Sequence, residues 1–147
     1  MKVISESTTI EEVAALVSES LSRAGITAVL SGGGAVQIYS NGLYVSRDLD
    51  FVSPAPVPPW PLAVGHALIH EWAGRSVAHG VIQMVTATQC VMDRLAAFYF
   101  WKDRQALDQA IAVARAHPID LDAVRRWSQA EGQDVAFDEF ARSYQLS

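Results

Sequence analysis

Three glycines in a row, Gly32-Gly33-Gly34, follow the apolar run Ile26-Thr27-Ala28-Val29-Leu30 with only Ser31 between them. A run of that length with β-branched residues reads as a buried strand. Leaving such a strand through three residues that lack Cβ atoms opens backbone conformations closed to other residues. It also lets successive N–H groups curl into a nest that can hold an anion. A helix starting at Gly34 or Ala35 would add the positive end of its dipole to the same spot. The same glycines also serve a plain tight turn, so both readings stand at this point.

The surrounding chain frames that junction. Thr8-Thr9-Ile10-Glu11 fits a capping box, Ile10, Val13, Val17 and Leu21 recur at helical spacing, and Gly25 follows as a stop, which predicts a first helix packed on a sheet. After the glycines, Ala35–Ser40 is expected as a short helix stopped by Asn41-Gly42. Asp48-Leu49-Asp50-Phe51-Val52 alternates like a strand with both acids on one face, about 7 Å apart along the chain. Such a pair suits Mg²⁺, a hard cation that prefers oxygen ligands, and it equally suits an exposed polar strand face. The glycine run is not a P-loop, because no Gly-Lys-Ser/Thr ending follows. Gln37 stands where a dinucleotide fingerprint needs its last glycine.

Beyond Val52, the stretch PAPVPPWP from Pro54 to Pro61 reads as a connector, with a proline-recognition ligand as the alternative. Residues 62–79 are ambiguous between helix and strand. Val81–Val85 reads as another buried strand, followed by one long apolar-rich helix from about Gln89 to Ala116, ended by Pro118. Asp120 is expected to cap a helix reaching Glu131, and Asp134 to cap the last one. The expected fold class is therefore α+β: a small mixed sheet packed with helices and a helical C-terminal half. It forms a single domain over 1–147, with the sheet-bearing part in 1–88 and the helical part in 89–147.

Composition narrows the function classes. Half the 147 residues are hydrophobic and 18% are charged, which fits a folded globular chain rather than a disordered one. No apolar run reaches the roughly 18 residues of a membrane span, and the start MKVISESTTIEE lacks the basic-then-apolar layout of a signal peptide, so the expectation is a cytoplasmic protein with no membrane partner. A net charge of -5 argues against tight non-specific attraction to nucleic acid, a local basic patch being the alternative. The basic residues of the C-terminal part, Arg94 to Arg126, are interleaved with Asp93, Asp103, Asp108, Asp120 and Asp122, which predicts salt-bridged helix surfaces. Cys90 is the single cysteine, so one chain forms no internal disulfide and no cysteine zinc cage.

The stretch from Leu30-Ser31-Gly32-Gly33-Gly34 through Ser46-Arg47-Asp48-Leu49-Asp50-Phe51-Val52 resembles the glycine motif, spacer and Asp-h-Asp signature of the nucleotidyltransferase superfamily. In particular it looks like the minimal or AbiEii-toxin-like branch. The block around Cys90–Phe98 with Trp101–Gln105 is similar to that family's helical Lys/Arg-Asp region, and Trp127-Ser128 with Glu131-Gly132 looks like a tail of bacterial members.

That resemblance implies a nucleotidyltransferase fold and Mg²⁺-dependent transfer of a nucleotidyl group from an NTP to a hydroxyl acceptor, as in a toxin of a toxin–antitoxin pair. The partners it implies are the nucleotide, an antitoxin protein and an RNA acceptor. Ser31, Gly32, Gly33, Gly34 and Arg47 would bind the nucleotide, and Asp48 and Asp50 would ligate Mg²⁺ and serve catalysis. Lys102 would neutralise phosphate or orient the acceptor with Arg104; ordinary surface pairing, such as Arg104 with Asp108, is the alternative. The chain departs from the family in one respect. A third carboxylate is expected on a later strand, yet Glu71 is the only acid between Val52 and Met92, and Gln83, which cannot take a proton, occupies the strand position. Glu71 or Asp93 is the substitute. A degenerate relative that binds nucleotide or a protein, and a homo-oligomeric interaction protein with a plain glycine turn, are the competing readings.

Other patterns carry less. His70-Glu71 begins like a zinc-protease helix, but Gly74 stands where the second histidine belongs. His66 and His70 are four apart and could share a metal with Glu71 or His79, or be structural. The block Phe98-Tyr99-Phe100-Trp101 has no polar face and is expected in the core.

Overall fold

A computed structural model describes residues 4–53 and 72–146. Its elements run α1 (Ile10–Arg23), β1 (Val29–Ser31), α2 (Gly32–Tyr39), β2 (Asp50–Val52), β3 (Trp72–Val77), β4 (Gly80–Val85), α3 (Ala87–Trp101), α4 (Arg104–Ala116), α5 (Leu121–Ala130) and α6 (Asp134–Gln145). The fold is α+β with a four-stranded mixed sheet and a helical C-terminal half, as the pattern predicts. Strand order is β2-β1-β4-β3: β1 runs antiparallel to β2 and parallel to β4, and β3 and β4 form an antiparallel hairpin. No helix of the described residues is long and apolar enough to cross a membrane.

α1 begins with the capping box read from the sequence, since the Thr9 hydroxyl accepts from the Glu12 N–H while Glu12 Oε2 accepts from the Thr9 N–H. Its most buried residues are Ala14, Ala15 and Ser18 rather than the branched stripe of Val13, Val17 and Leu21. Small side chains bring α1 close to the sheet: a Cβ on Gly80, at the start of β4, would lie 3.6 Å from that of Ala15.

β1 is shorter than the apolar run suggests, because Ile26 is exposed and Thr27 and Ala28 precede the ladder. Pairing of Leu30 with Met84 and Phe51, and of Ala73 with Met84, sets one sheet face. α2 covers that face, where Leu30 Cδ1 lies 3.2 Å from the Cβ position of Gly34 and the Arg75 guanidinium sits 5.3 Å from the Tyr39 ring centroid. The core joins Val29, Leu30, Val36, Ile82, Met84 and Val85 to Leu95, Val113, Val124 and Phe140, all at most 1% exposed.

The long helix expected over 89–116 is two helices. Lys102 closes α3 in the left-handed conformation at φ 57°, its N–H bonded back to the Ala97 and Phe98 carbonyls, and Asp103 caps α4 by accepting from the Ala106 N–H. α3 and α4 thus fold back on each other, so Phe98 and Tyr99 are buried while Phe100 and Trp101 reach the surface, the latter 67% exposed. Asp120 caps α5 as expected, through the Ala123 N–H. Asp134 is the first residue of α6 rather than its cap, a position that Gln133 holds without a side-chain bond. Of the interleaved charges, Arg125 pairs with Asp122, whereas Arg104 pairs with Glu139 of α6 rather than with Asp108. Residues 72–77 of the ambiguous 62–79 stretch are strand β3. Residues 78 and 79 form the hairpin turn, while the proline connector and residues 62–71, with His66, His70 and Glu71, lie outside the described residues.

Candidate functional site at the β1–α2 and β2 junction

The glycines do not form a turn. α2 starts at once, at Gly32, with Ser31 as its N-cap residue. Only Gly32 of the three needs glycine for its backbone, at φ +61°. The other demand is space, because the segment 46–50 lies directly over the first turn of α2. A Cβ on Gly32 would stand 2.8 Å from Asp50 Oδ2, one on Gly33 2.8 Å from Ser46 Oγ, and one on Gly34 2.8 Å from Leu49 Cδ2. Sequence-distant parts of the motif are therefore in van der Waals contact.

Gln37 and Ser46 hold the segment in place through a bond that no local pattern announces. Gln37 Oε1, one turn into α2, accepts from the Ser46 N–H at 2.7 Å, and the Ser46 hydroxyl donates to the Asp48 carbonyl at 2.8 Å. Leu49 packs against the core and turns the acids on either side of it outward. The strand expected over 48–52 is limited to Asp50–Val52, so Asp48 precedes the ladder and is fixed by Ser46 rather than by strand pairing. Both carboxylates are exposed, and neither forms an ion pair with a described residue. Arg47, between Ser46 and Asp48, is exposed as well.

The start of α2 carries no side-chain cap. The Ser31 hydroxyl points instead across the β1–β2 ladder to the Asp50 carbonyl, at 3.4 Å, and the first turn of α2 contains no acid. Leading N–H groups of a helix have no intrahelical acceptor and carry a partial positive charge. An uncapped positive helix end thus stands beside the Asp50 carboxylate, with the Asp48 backbone carbonyl 3.6 Å from the Cβ position of Gly34.

The remaining expected residues lie elsewhere. Lys102 is exposed at the far end of α3, whose fifteen residues carry it about 22 Å along the helix axis from the end of β4. Gln83 is half-buried on β4, on the same sheet face as Asp50 but two strands away, opposite Gly74. Asp93 accepts a hydrogen bond from Gln89 Nε2 one turn back on α3, at 3.0 Å. No three His, Cys, Asp or Glu side chains among the described residues stand together as a metal-holding group. Cys90 is buried, and burial pushes its thiol up to about 12, in keeping with a packing role. Among the described residues, one open cavity lies between the 40–44 loop, α4 and α6, and another between α1, the 25–28 segment and the β3–β4 hairpin; neither is lined by Asp48 or Asp50.

Fold and site together define a small α+β protein with an acid pair at a glycine-led helix start. No protein-family model matches the chain, and neither a curated protein nor a solved structure matches it.

Proposed function

We propose that the protein binds a nucleoside triphosphate with Mg²⁺ at the junction of β1, α2 and β2, and that the reaction served is nucleotidyl transfer to a hydroxyl acceptor. The observation that carries this reading is the adjacency of opposite, unsatisfied charges: the uncapped N-terminus of α2 beside the exposed Asp50 carboxylate, with exposed Asp48 two residues before it and neither acid in an ion pair among the described residues. A single anion satisfies the helix end and repels the carboxylates, and a single cation does the reverse. A polyphosphate carrying a divalent cation satisfies both.

The residues fit Mg²⁺, which is commonly bound by one or two protein carboxylates while keeping water and phosphate oxygens as its other ligands. When bound, it neutralises charge on the phosphates and helps align them for in-line displacement. The chain's own contribution is positional. Gly32, Gly33 and Gly34 make room for the segment 46–50 that brings the Asp50 carboxylate to the start of α2, Ser31 and Arg47 adjoin that junction, and the Gln37–Ser46 pair fixes the loop that carries Asp48.

A second reading, nucleotide binding without transfer, is favoured by the lack of a third carboxylate beside the pair among the described residues. The two separate in an assay with α-labelled NTPs, Mg²⁺ and total cellular RNA or protein as acceptor. Transfer of label by the wild type, lost in Asp50→Asn, marks the enzyme. Saturable Mg²⁺-dependent retention of the NTP without labelled product marks the binding protein. Absence of both contradicts the site.

A further inference from the structure

The cavity between α1 and the β3–β4 hairpin has the makings of a second, independent site. It has a volume of about 410 Å³, within the ordinary range of small-molecule sites, and Ser18, Ser22, Thr27, Trp72 and Gln83 are among its lining residues. Three features set it apart from a surface dent. Ser18 is 4% exposed, and its covered hydroxyl has no hydrogen-bond partner among the described residues, an arrangement that costs stability. The Gln83 amide makes no hydrogen bond among the described residues and lies across Gly74, whose missing side chain leaves it room: a Cβ there would stand 3.2 Å from Gln83 Nε2. Trp72 is 40% exposed on the edge strand. Because Trp72 pairs with Val85 and Gly74 with Gln83, the indole and the amide are diagonal neighbours on one face of the hairpin.

Each element has a chemical counterpart. An indole face suits a planar ring. A primary amide offers one donor and one acceptor in a plane, the complement of a ring edge that presents an acceptor beside a donor, as adenine does with N7 and N6. Hydroxyls of Ser22 and Thr27 at the rim suit a sugar or the remaining ring nitrogens. We infer that this cavity is a nucleobase site, in which the Gln83 amide reads the hydrogen-bonding edge of a base stacked on Trp72. The site uses none of Ser31–Gly34, Asp48 or Asp50, so it stands or falls apart from the triphosphate reading.

Equilibrium dialysis of the full chain against labelled adenosine, with EDTA present so that no metal-phosphate contact contributes, tests it. The expected result is saturable binding of one adenosine per chain, weakened about tenfold or more in both Gln83→Leu and Trp72→Ala and unchanged in Asp48→Asn. Trp72→Ala is the variant least exposed to a folding defect, since its side chain is exposed on an edge strand; thermal unfolding of each variant confirms that a folded protein is being compared. No saturable binding at millimolar adenosine, or binding that neither substitution weakens, overturns the proposal.

Discussion

At the scale of single residues, steric contact explains the glycine run better than turn geometry does. Gly32 needs its positive φ, and the Cβ positions of all three glycines are taken by Asp50, Ser46 and Leu49. Gly32→Ala is expected to lower stability by about 1–2 kcal/mol, from the left-handed backbone cost plus displacement of the Asp50 carboxylate; urea unfolding reads it, and an unchanged midpoint would contradict the contact. The glycine run and Asp-x-Asp were legible as a pair because both are rare patterns a short loop apart. The Gln37–Ser46 bond was not, because a helix amide accepting from a backbone N–H nine residues on has no local sequence signature. Cys90 gives a second residue-scale prediction. With its thiol pushed up to about 12 by burial, it should resist a thiol reagent at pH 8 while the chain is folded and react on unfolding. Rapid stoichiometric labelling of the native protein would contradict the buried placement.

At the scale of elements, the α3–α4 break is the main departure from the pattern. An apolar-rich stretch from Gln89 to Ala116 carries no Gly or Pro, so periodicity alone continues it. Competition at Lys102 and Asp103 ends it instead: Asp103 favours an N-cap, and the residue before it takes the left-handed conformation usually given to glycine. Lys102→Gly should therefore raise stability, by up to about 1 kcal/mol. Asp103→Ala should lower it by about 1 kcal/mol. Opposite-signed shifts in the thermal midpoint are the signature; a fall for Lys102→Gly would mean that its ammonium makes a contribution larger than the backbone cost. The strand before Asp50 was overread for a related reason, since alternation around Leu49 arises from one anchoring side chain on the core rather than from ladder pairing.

At the scale of the whole molecule, helices and sheet are joined through buried polar contacts whose chemistry sets the alkaline limit of the fold. Tyr39 donates to the Val85 carbonyl at 2.6 Å, tying α2 to β4, and the Tyr99 and Ser128 hydroxyls meet at 2.8 Å, tying α3 to α5. Burial first of all raises both phenols from 10.0 to about 12; the nearby Cys90 adds to the rise at Tyr39. A folded pKa above the unfolded one means that the folded state holds the proton more tightly. The stabilisation is therefore complete below pH 10 and is lost as pH climbs through 12. Stability measured between pH 9 and 12 should fall over the upper part of that range, and less so in Tyr99→Phe, which keeps only the Tyr39 phenol of the two. The α+β class and the helical second half were readable because they rest on summed periodicity. How the motif meets the sheet was not, since order β2-β1-β4-β3 depends on pairing between segments as far apart as Leu30 and Met84. The central claim is that Asp48, Asp50 and the start of α2 form one metal–polyphosphate site, and thermal unfolding with each NTP, with and without Mg²⁺, for the wild type and Asp48→Asn tests it most directly. At a nucleotide concentration about 100 times Kd, linkage gives about 2.7 kcal/mol, or roughly 5 to 10 °C for a chain of this size. The account predicts that shift for at least one NTP, only with Mg²⁺ and only in the wild type; no shift with any nucleotide, or an equal shift in Asp48→Asn, would contradict it.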